Sequence, residues 1–436
     1  MKIAFIAMSG VRVVDAELLR IGLTLPGFVE RGQVIASLPS LGLLTLAGMT
    51  PAWHEVSYHE VADLRVVEGV PVHADLVTIS TFSAQVNEAY ELAGRFRALG
   101  MRVVIGGPHV SVLPDEAAAH VDAVVIGEGE LVWPQLIADA EAGHLQPRYG
   151  QRGVPFDLTQ APAPRVDLLD VSRYNRITVQ TARGCPHRCE FCASTPMMTP
   201  GYRQKPAAKV LAEIDRIRAI WPHPFIEFAD DNTFINRAYW KALLPELAKR
   251  KLRWFTETDL SVAEDDDLLS LMRDAGCAQV LIGLESPTPD ALTGIDTHGW
   301  KRKRFDRYHA AITRIQSHGI SVNGCFILGL DAHDAGIFSA VDTFVRESDL
   351  TEVQVTVQTA FPGTVLYERL LKAGRLIEPT NWNLCTLFDV NFHPAKMTAL
   401  ELRDGFRGLV STLYSRERTD ARRLRFRELR RAARAA

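Results

Sequence analysis

Cysteine is scarce and unevenly placed in this 436-residue chain: there are six, and none precedes Cys185. A secreted disulfide framework would spread its cysteines along the sequence, so a reducing, cytoplasmic setting is expected. No apolar run approaches the ~20 residues that cross a bilayer, so no membrane span is expected. The opening MKIAFIAMSG lacks an h-region followed by a small-residue cleavage site and reads as a β-strand, not a signal peptide. Charge is nearly balanced at a formal −3, which gives no global pull toward nucleic acid. What remains is ordinary for a globular protein, 47% hydrophobic and 23% charged, with length for two or three domains.

Strand and helix patterns alternate twice. In residues 1–145, KIAFIAM, DLVTIS, RVVIGG and DAVVIG read as strands; LGLLTLAGM and QVNEAYELAGRFRALG read as helices. This alternation predicts an α/β fold with a doubly wound parallel sheet, its ligand crevice at the strand C-terminal ends near Ser80, Gly106, Gly107, Gly127 and Glu128. Residues 146–175 carry Pro155, Pro162 and Pro164 and read as a linker. Residues 176–375 supply six more strand candidates, RITVQTA, FIEFAD, RWFTET, AQVLIGLE, SVNGCFILG and EVQVTVQTA. Helical stretches separate them, which predicts a partial or full βα barrel. The segment 376–436 ends in an Arg-rich stretch that reads as a solvated terminal helix.

Three of the six cysteines, Cys185, Cys189 and Cys192, fall within RGCPHRCEFC. At this cysteine frequency such spacing arises by chance about once in a thousand sequences. A structural zinc site wants four ligands, commonly two C-x-x-C pairs, and only one such pair is here; His187 is the nearest candidate for a fourth. A [4Fe–4S] cluster held by three thiolates instead leaves one iron open to an exogenous ligand.

Cys185-x-x-x-Cys189-x-Phe191-Cys192 resembles the signature of the radical S-adenosylmethionine (SAM) superfamily. FIEFADDNTF, VLIGLESPTPD, GISVNGCFILGLD and VQTAFPGTVLYERL resemble its later strand motifs and occur in the family's order. The resemblance implies that the three cysteines hold a [4Fe–4S] cluster. It implies that Phe191, Asp230, Asp231, Glu285, Asn323 and Gly324 meet SAM, with Asp230 or Asp231 at the amino group and Glu285 at the ribose. SAM cleavage would then give a 5′-deoxyadenosyl radical. Cys277, Cys325 and Cys385 would be spectators.

The first half resembles the Rossmann-like cobalamin-binding domain fused to one branch of that superfamily, through LPSLGLLTLAG, ISTFSAQ, VVIGGPHVSVLPDEA and VDAVVIGEGE. Ser80, Gly106, Gly107, Gly127 and Glu128 would then face cobalamin. The D-x-H-x-x-G motif that supplies a cobalt-ligating His is absent, so cobalamin would be held without it. Methylthiotransferases carry extra N-terminal cysteines, and this half has none. The resemblance thus implies a cobalamin-dependent methyltransferase acting on an unactivated carbon, or phosphorus, of a small-molecule, lipid or natural-product substrate. Its electron donor would be a flavodoxin or ferredoxin. Non-methylating radical chemistry and an iron–sulfur redox sensor are the alternatives.

Overall fold

KIAFIAM forms strand β1 (Lys2–Met8), buried from Ile3 onward, as a continuous apolar run in a parallel sheet requires. The computed structural model describes residues 1–21, 38–194 and 201–435. With β1 pair β2 (Glu55–Val61), β3 (Leu76–Ser80), β4 (Arg102–Gly106), β5 (Ala123–Ile126) and β6 (Arg148–Gly150), all parallel, in the order β2-β1-β3-β4-β5-β6. The order reverses between β1 and β3, so the crevice lies beyond their C-terminal ends. Two of these strands were not expected from sequence. EVSYHEV forms edge strand β2, only partly buried, and its polar residues hide the pattern. β6 lies inside the segment read as a linker. The rest of that segment is a packed strap that buries Leu158 and Val166.

The second sheet contains β7 (Ile177–Val179), β10 (Phe225–Phe228), β11 (Arg253–Thr258), β12 (Cys277–Glu285), β13 (Ser321–Leu328) and β14 (Glu352–Val357), parallel and in chain order. Among the described residues β14 does not pair with β7, so this is an open, partial (βα)6 barrel. RITVQTA splits: its end forms β8 (Ala182–Arg183), which pairs antiparallel with β9 (Arg203–Gln204). That short hairpin is the base of the loop bearing the three cysteines. Helices Ala207–Ile220, Arg237–Lys249, Asp266–Asp274, Tyr308–Ser317, Ile337–Glu347 and Val365–Lys372 pack on one face, against Ile226, Trp254, Ile282, Phe326 and Val355. The period-2 alternation leaves Glu227, Glu257, Asn323 and Gln354 on the inner face.

The terminal helix Arg416–Ala435 is not simply solvated. Arg422 is buried and donates to the Leu413 carbonyl at 2.9 Å, Arg425 donates to the Ser348 carbonyl at 2.7 Å, and Arg423 meets Glu352 at 2.9 Å. Guanidinium groups here satisfy carbonyls at element ends, a use that charge counting does not reveal. Other contacts join the two halves: Asp15 pairs with Arg407, and Trp382 donates to Glu116 at 3.1 Å.

Candidate active site

The cysteine loop is fastened at several points. Gly184, with φ +90°, sits so close to the Gly201 backbone that a Cβ there would clash. Its N–H donates to Asp231 at 2.8 Å, and the second oxygen of Asp231 accepts from Ser194. Asp230, 3% exposed, accepts from the Thr181 and Ala182 amides at 2.7 and 2.9 Å. Asp230 is thus consumed in holding the strand that feeds the loop and offers nothing to SAM, while Asp231 remains exposed to the site. Burial pushes the Asp230 carboxyl up to about 6 against these donors. The Glu190 amide bonds the Ile295 carbonyl at 3.0 Å, and its carboxylate pairs with Arg369 at 2.7 Å. His187 meets Asp259 at 3.3 Å and packs on Trp300. Phe191 packs against the cluster of Ala291, Ile327 and Leu330 and against the main core.

Cys185, Cys189 and Cys192 are all half-buried free thiols, and Cys192 acts electrostatically on both of the others. Burial raises Cys185 to about 11 and Cys189 to about 12. Among the described residues no three His, Cys, Asp or Glu side chains close on a single metal ion. Thiolates that bind separate irons of one cluster stand farther apart than that, and a three-thiol loop with a neighbouring open face suits a cluster.

Glu285 ends β12 with φ +64°, just after a register shift between Gly283 and Glu285. A non-glycine residue in this region is strained, which is a mark of functional sites. The twist turns the carboxylate, 6% exposed, onto Lys301 at 2.7 Å. Asn323 is 1% exposed, and neither polar atom of its amide has a partner. Such orphaned groups are costly unless a ligand or water meets them, so the inner face fits SAM. Gly324 does not share this role. A Cβ on it would lie 2.9 Å from Leu350 on the helix side, so it is a packing glycine. Cys325 lies on the inner face, whereas Cys277 and Cys385 are buried.

In the first half, two glycines expected to admit a corrin are needed by the chain itself. A Cβ on Gly107, at φ +117°, would stand 2.5 Å from the Thr81 carbonyl oxygen, and one on Gly127, at φ +81°, 2.5 Å from that of Gln151. Gly106 has only ordinary contact, at 3.5 Å from Val125, and Ser80 ends β3 at the crevice. Close by, Gln85 is 2% exposed with both amide atoms unpartnered, so a polar group suits this crevice. His109 is already bound to Ser83 at 3.0 Å and Glu116 at 3.1 Å, and His54 and His59 likewise have partners.

Glu128 also departs from expectation. It is buried and clamps two arginines, accepting from Arg183 at 2.9 Å and from Arg203 at 2.5 and 3.0 Å; it also receives the Phe156 amide at 3.0 Å. Glu130 takes the other arm of Arg183 at 2.5 Å. These carboxylates follow β5, and the arginines flank the cysteine loop. The C-terminal end of the first sheet therefore meets the cysteine-bearing hairpin of the second.

Three family models match the chain: the Radical SAM superfamily over residues 179–336, the B12 binding domain over 32–137, and a domain of unknown function (DUF4070) over 364–435. The chain carries a radical SAM domain and a B12-binding domain. Among curated proteins it is 26% identical over 395 residues to a bacteriochlorophyllide d C-12(1)-methyltransferase of Chlorobaculum tepidum, covering 88% of this chain and 84% of that one. It is 29% identical to a hopanoid C-2 methylase of Rhodopseudomonas palustris, covering 80% and 67%. Its fold matches the radical SAM methyltransferase TsrM of Kitasatospora setae, solved with cobalamin and a [4Fe–4S] cluster bound. The TM-score is 0.67 at 16% identity, over 95% of this chain and 88% of that one. The cobalamin-dependent radical enzyme OxsB aligns with TM-score 0.69 at 13% identity, covering 95% and 67%.

The sequence reading missed Lys301, the pairing of His187 with Asp259 in place of a ligand role, and the Arg183–Arg203 clamp. Arg183 stands two residues before the first cysteine, and its charge on a buried-strand pattern was the available signal. Lys301 had none, because its contact with Glu285 depends on the chain folding back.

Proposed function

We propose that this enzyme methylates an unactivated carbon of a small molecule bound between the two sheets, using cobalamin, SAM and a [4Fe–4S] cluster on Cys185, Cys189 and Cys192. The observation that carries this reading is the clamp of Glu128 and Glu130 on Arg183 and Arg203, which brings the B12-binding crevice and the cysteine loop to one side. The cofactors supply a radical that removes a substrate hydrogen and a transferable methyl group. The chain's own work is to place and enclose them. Asp231 and Asp230 fix the loop entering the cysteines, Glu285 with Lys301 receives polar groups of SAM, and Asn323 offers a paired donor and acceptor. Crevice groups at Ser80 and Gln85 face the corrinoid, with no imidazole available to it from His54, His59 or His109. Methylating relatives support a small-molecule substrate, and the electron would come from a low-potential donor such as flavodoxin or ferredoxin.

The test is anaerobic reconstitution with cobalamin and SAM carrying a trideuterated methyl group. Equal amounts of 5′-deoxyadenosine and S-adenosylhomocysteine, with the label in a product, are expected. 5′-Deoxyadenosine with no label transferred in the presence of turned-over substrate would overturn the methyl-transfer reading.

A further inference from the structure

The strand N-terminal ends of the second sheet, opposite the cysteine loop, border a cavity of about 670 Å³ that the terminal helix Arg416–Ala435 closes on one side. Arg253 opens β11, Gln279 and Glu352 lie at the starts of β12 and β14, and Arg423 and Arg430 line the cavity from the helix. Chemistry in βα barrels sits at the strand C-terminal ends. About 20 Å of extended chain separates Gln279 from Glu285 on β12, so this is a separate site. Four guanidinium groups line it against one carboxylate. Arg423 is paired with Glu352 at 2.9 Å, and Arg273 donates to Asp274 at 2.8 Å. Arg253 and Arg430 have no ion pair among the described residues; the Arg430 guanidinium lies 5.6 Å from the centre of the Phe426 ring. Gln279 and Glu352 alternate with the helix-side Val280 and Val353, so both point into the barrel mouth. Gln279 is 3% exposed and its Oε1 has no hydrogen-bond partner among the described residues; Glu352 is 4% exposed and its Oε2 has none either. Buried acceptors left open cost stability unless a donor meets them.

We propose that this cavity binds a sugar phosphate, with Arg253 and Arg430 on the phosphate and with Gln279 and Glu352 accepting from hydroxyl groups of the sugar. The site goes beyond the methyl-transfer reading and does not rest on it. A dianionic phosphate takes several donors at once, and planar guanidinium forks supply them in pairs. A single carboxylate would leave one of the two free arginines unmatched. The hydroxyl groups answer the two open acceptors, which a bare anion cannot do. Phe225 and Phe426 give apolar walls for the carbon skeleton, and the volume falls in the range of small-molecule pockets. The nucleophile in the lining is Cys277. Its thiol donates to the Gln279 backbone carbonyl at 3.6 Å, and burial pushes its pKa well up, so the cavity is built to bind and not to react. The terminal helix thus has two uses for its arginines: Arg422 and Arg425 fasten it to carbonyls, and Arg430 faces the cavity.

The test is isothermal titration of the full, anaerobically reconstituted chain with ribose 5-phosphate, ribose and inorganic phosphate, in the presence of saturating SAM and cobalamin so that the other sites are filled. Ribose 5-phosphate should bind saturably, inorganic phosphate more weakly, and ribose not at all. Arg253→Gln and Arg430→Gln should each weaken ribose 5-phosphate about tenfold, the scale of a lost charged hydrogen bond. They lie on different elements, so one stands in if the other misfolds. Gln279→Leu should weaken ribose 5-phosphate and leave inorganic phosphate unchanged, which separates the hydroxyl contact from the charge. Iron content should be the same in all three variants. No saturable binding of ribose 5-phosphate at millimolar concentration would overturn the proposal. So would equal affinity in wild type and both arginine variants, or ribose binding as tightly as its phosphate.

Discussion

Glu128, just beyond the end of β5, accepts a hydrogen bond from Arg183 at 2.9 Å, two residues before Cys185. One carboxylate of the B12-binding half thereby sets the position of the hairpin that presents Cys185, Cys189 and Cys192. Cutting a buried ion pair from one side leaves a charge unmet and costs about 3–5 kcal/mol. Glu128→Ala should therefore lower the melting temperature and reduce the iron retained after reconstitution, from about four per chain. Glu128→Gln keeps acceptor oxygen and should lose less. Iron and thermal unfolding together check this; unchanged iron in Glu128→Ala would separate the clamp from the loop.

Glu285 and Lys301 should act as a unit. Glu285→Gln removes the charge facing Lys301 but keeps the shape, and the loss of a charged hydrogen bond to SAM should weaken binding by about 1–3 kcal/mol. The iron–sulfur absorbance should be retained. Isothermal titration with SAM on the reconstituted protein measures it.

Neighbouring glycines should respond unequally to a methyl group. Gly107→Ala places a Cβ 2.5 Å from the Thr81 carbonyl at φ +117°, so a loss on the order of 1–3 kcal/mol or more is expected from strain alone. Gly106→Ala meets only ordinary contact at 3.5 Å and should stay within about 1 kcal/mol. Chemical denaturation of the two variants compares them. A bulky residue at Gly107 would break the domain itself, so it cannot serve as a selective block of the corrin crevice.

The Glu257 carboxyl also links stability to pH. Its value in the folded chain is raised from 4.5 to about 7, so folding disfavours its ionised form. The stability it permits is fully present below about pH 4.5 and is lost as pH rises through 7. Glu257→Gln lacks that loss. The ligand-free variant should melt higher than wild type at pH 8, and the gap should close toward pH 4.5. Solvent in the open barrel screens the group, so the effect is smaller than full burial would give. Melting curves across this range test it, and a gap that widens at low pH would contradict the raised value.

Much of the architecture was legible because apolar runs mark parallel strands directly. KIAFIAM, RWFTET and LGLLTLAGM form the strands β1 and β11 and the helix Leu41–Met49 with the boundaries their patterns suggest. EVSYHEV was not legible, since an edge strand half in solvent need not alternate cleanly. The cysteine triad stood out through local spacing. The pairings of Glu285 with Lys301 and of Glu128 with Arg183 and Arg203 join residues far apart in sequence, and no local pattern encodes them. The packing of Gly324 and Gly107 was not legible for a related reason: a glycine's spacing does not reveal which neighbour crowds it.

The central claim is that the B12-binding crevice and the cysteine loop face one shared chamber. Electron paramagnetic resonance of the reduced protein, reconstituted with both cofactors, tests it without knowledge of the substrate. The Co(II) and reduced-cluster signals should each be broadened or split by the other. Spectra equal to the simple sum of those from protein loaded with one cofactor at a time would contradict it.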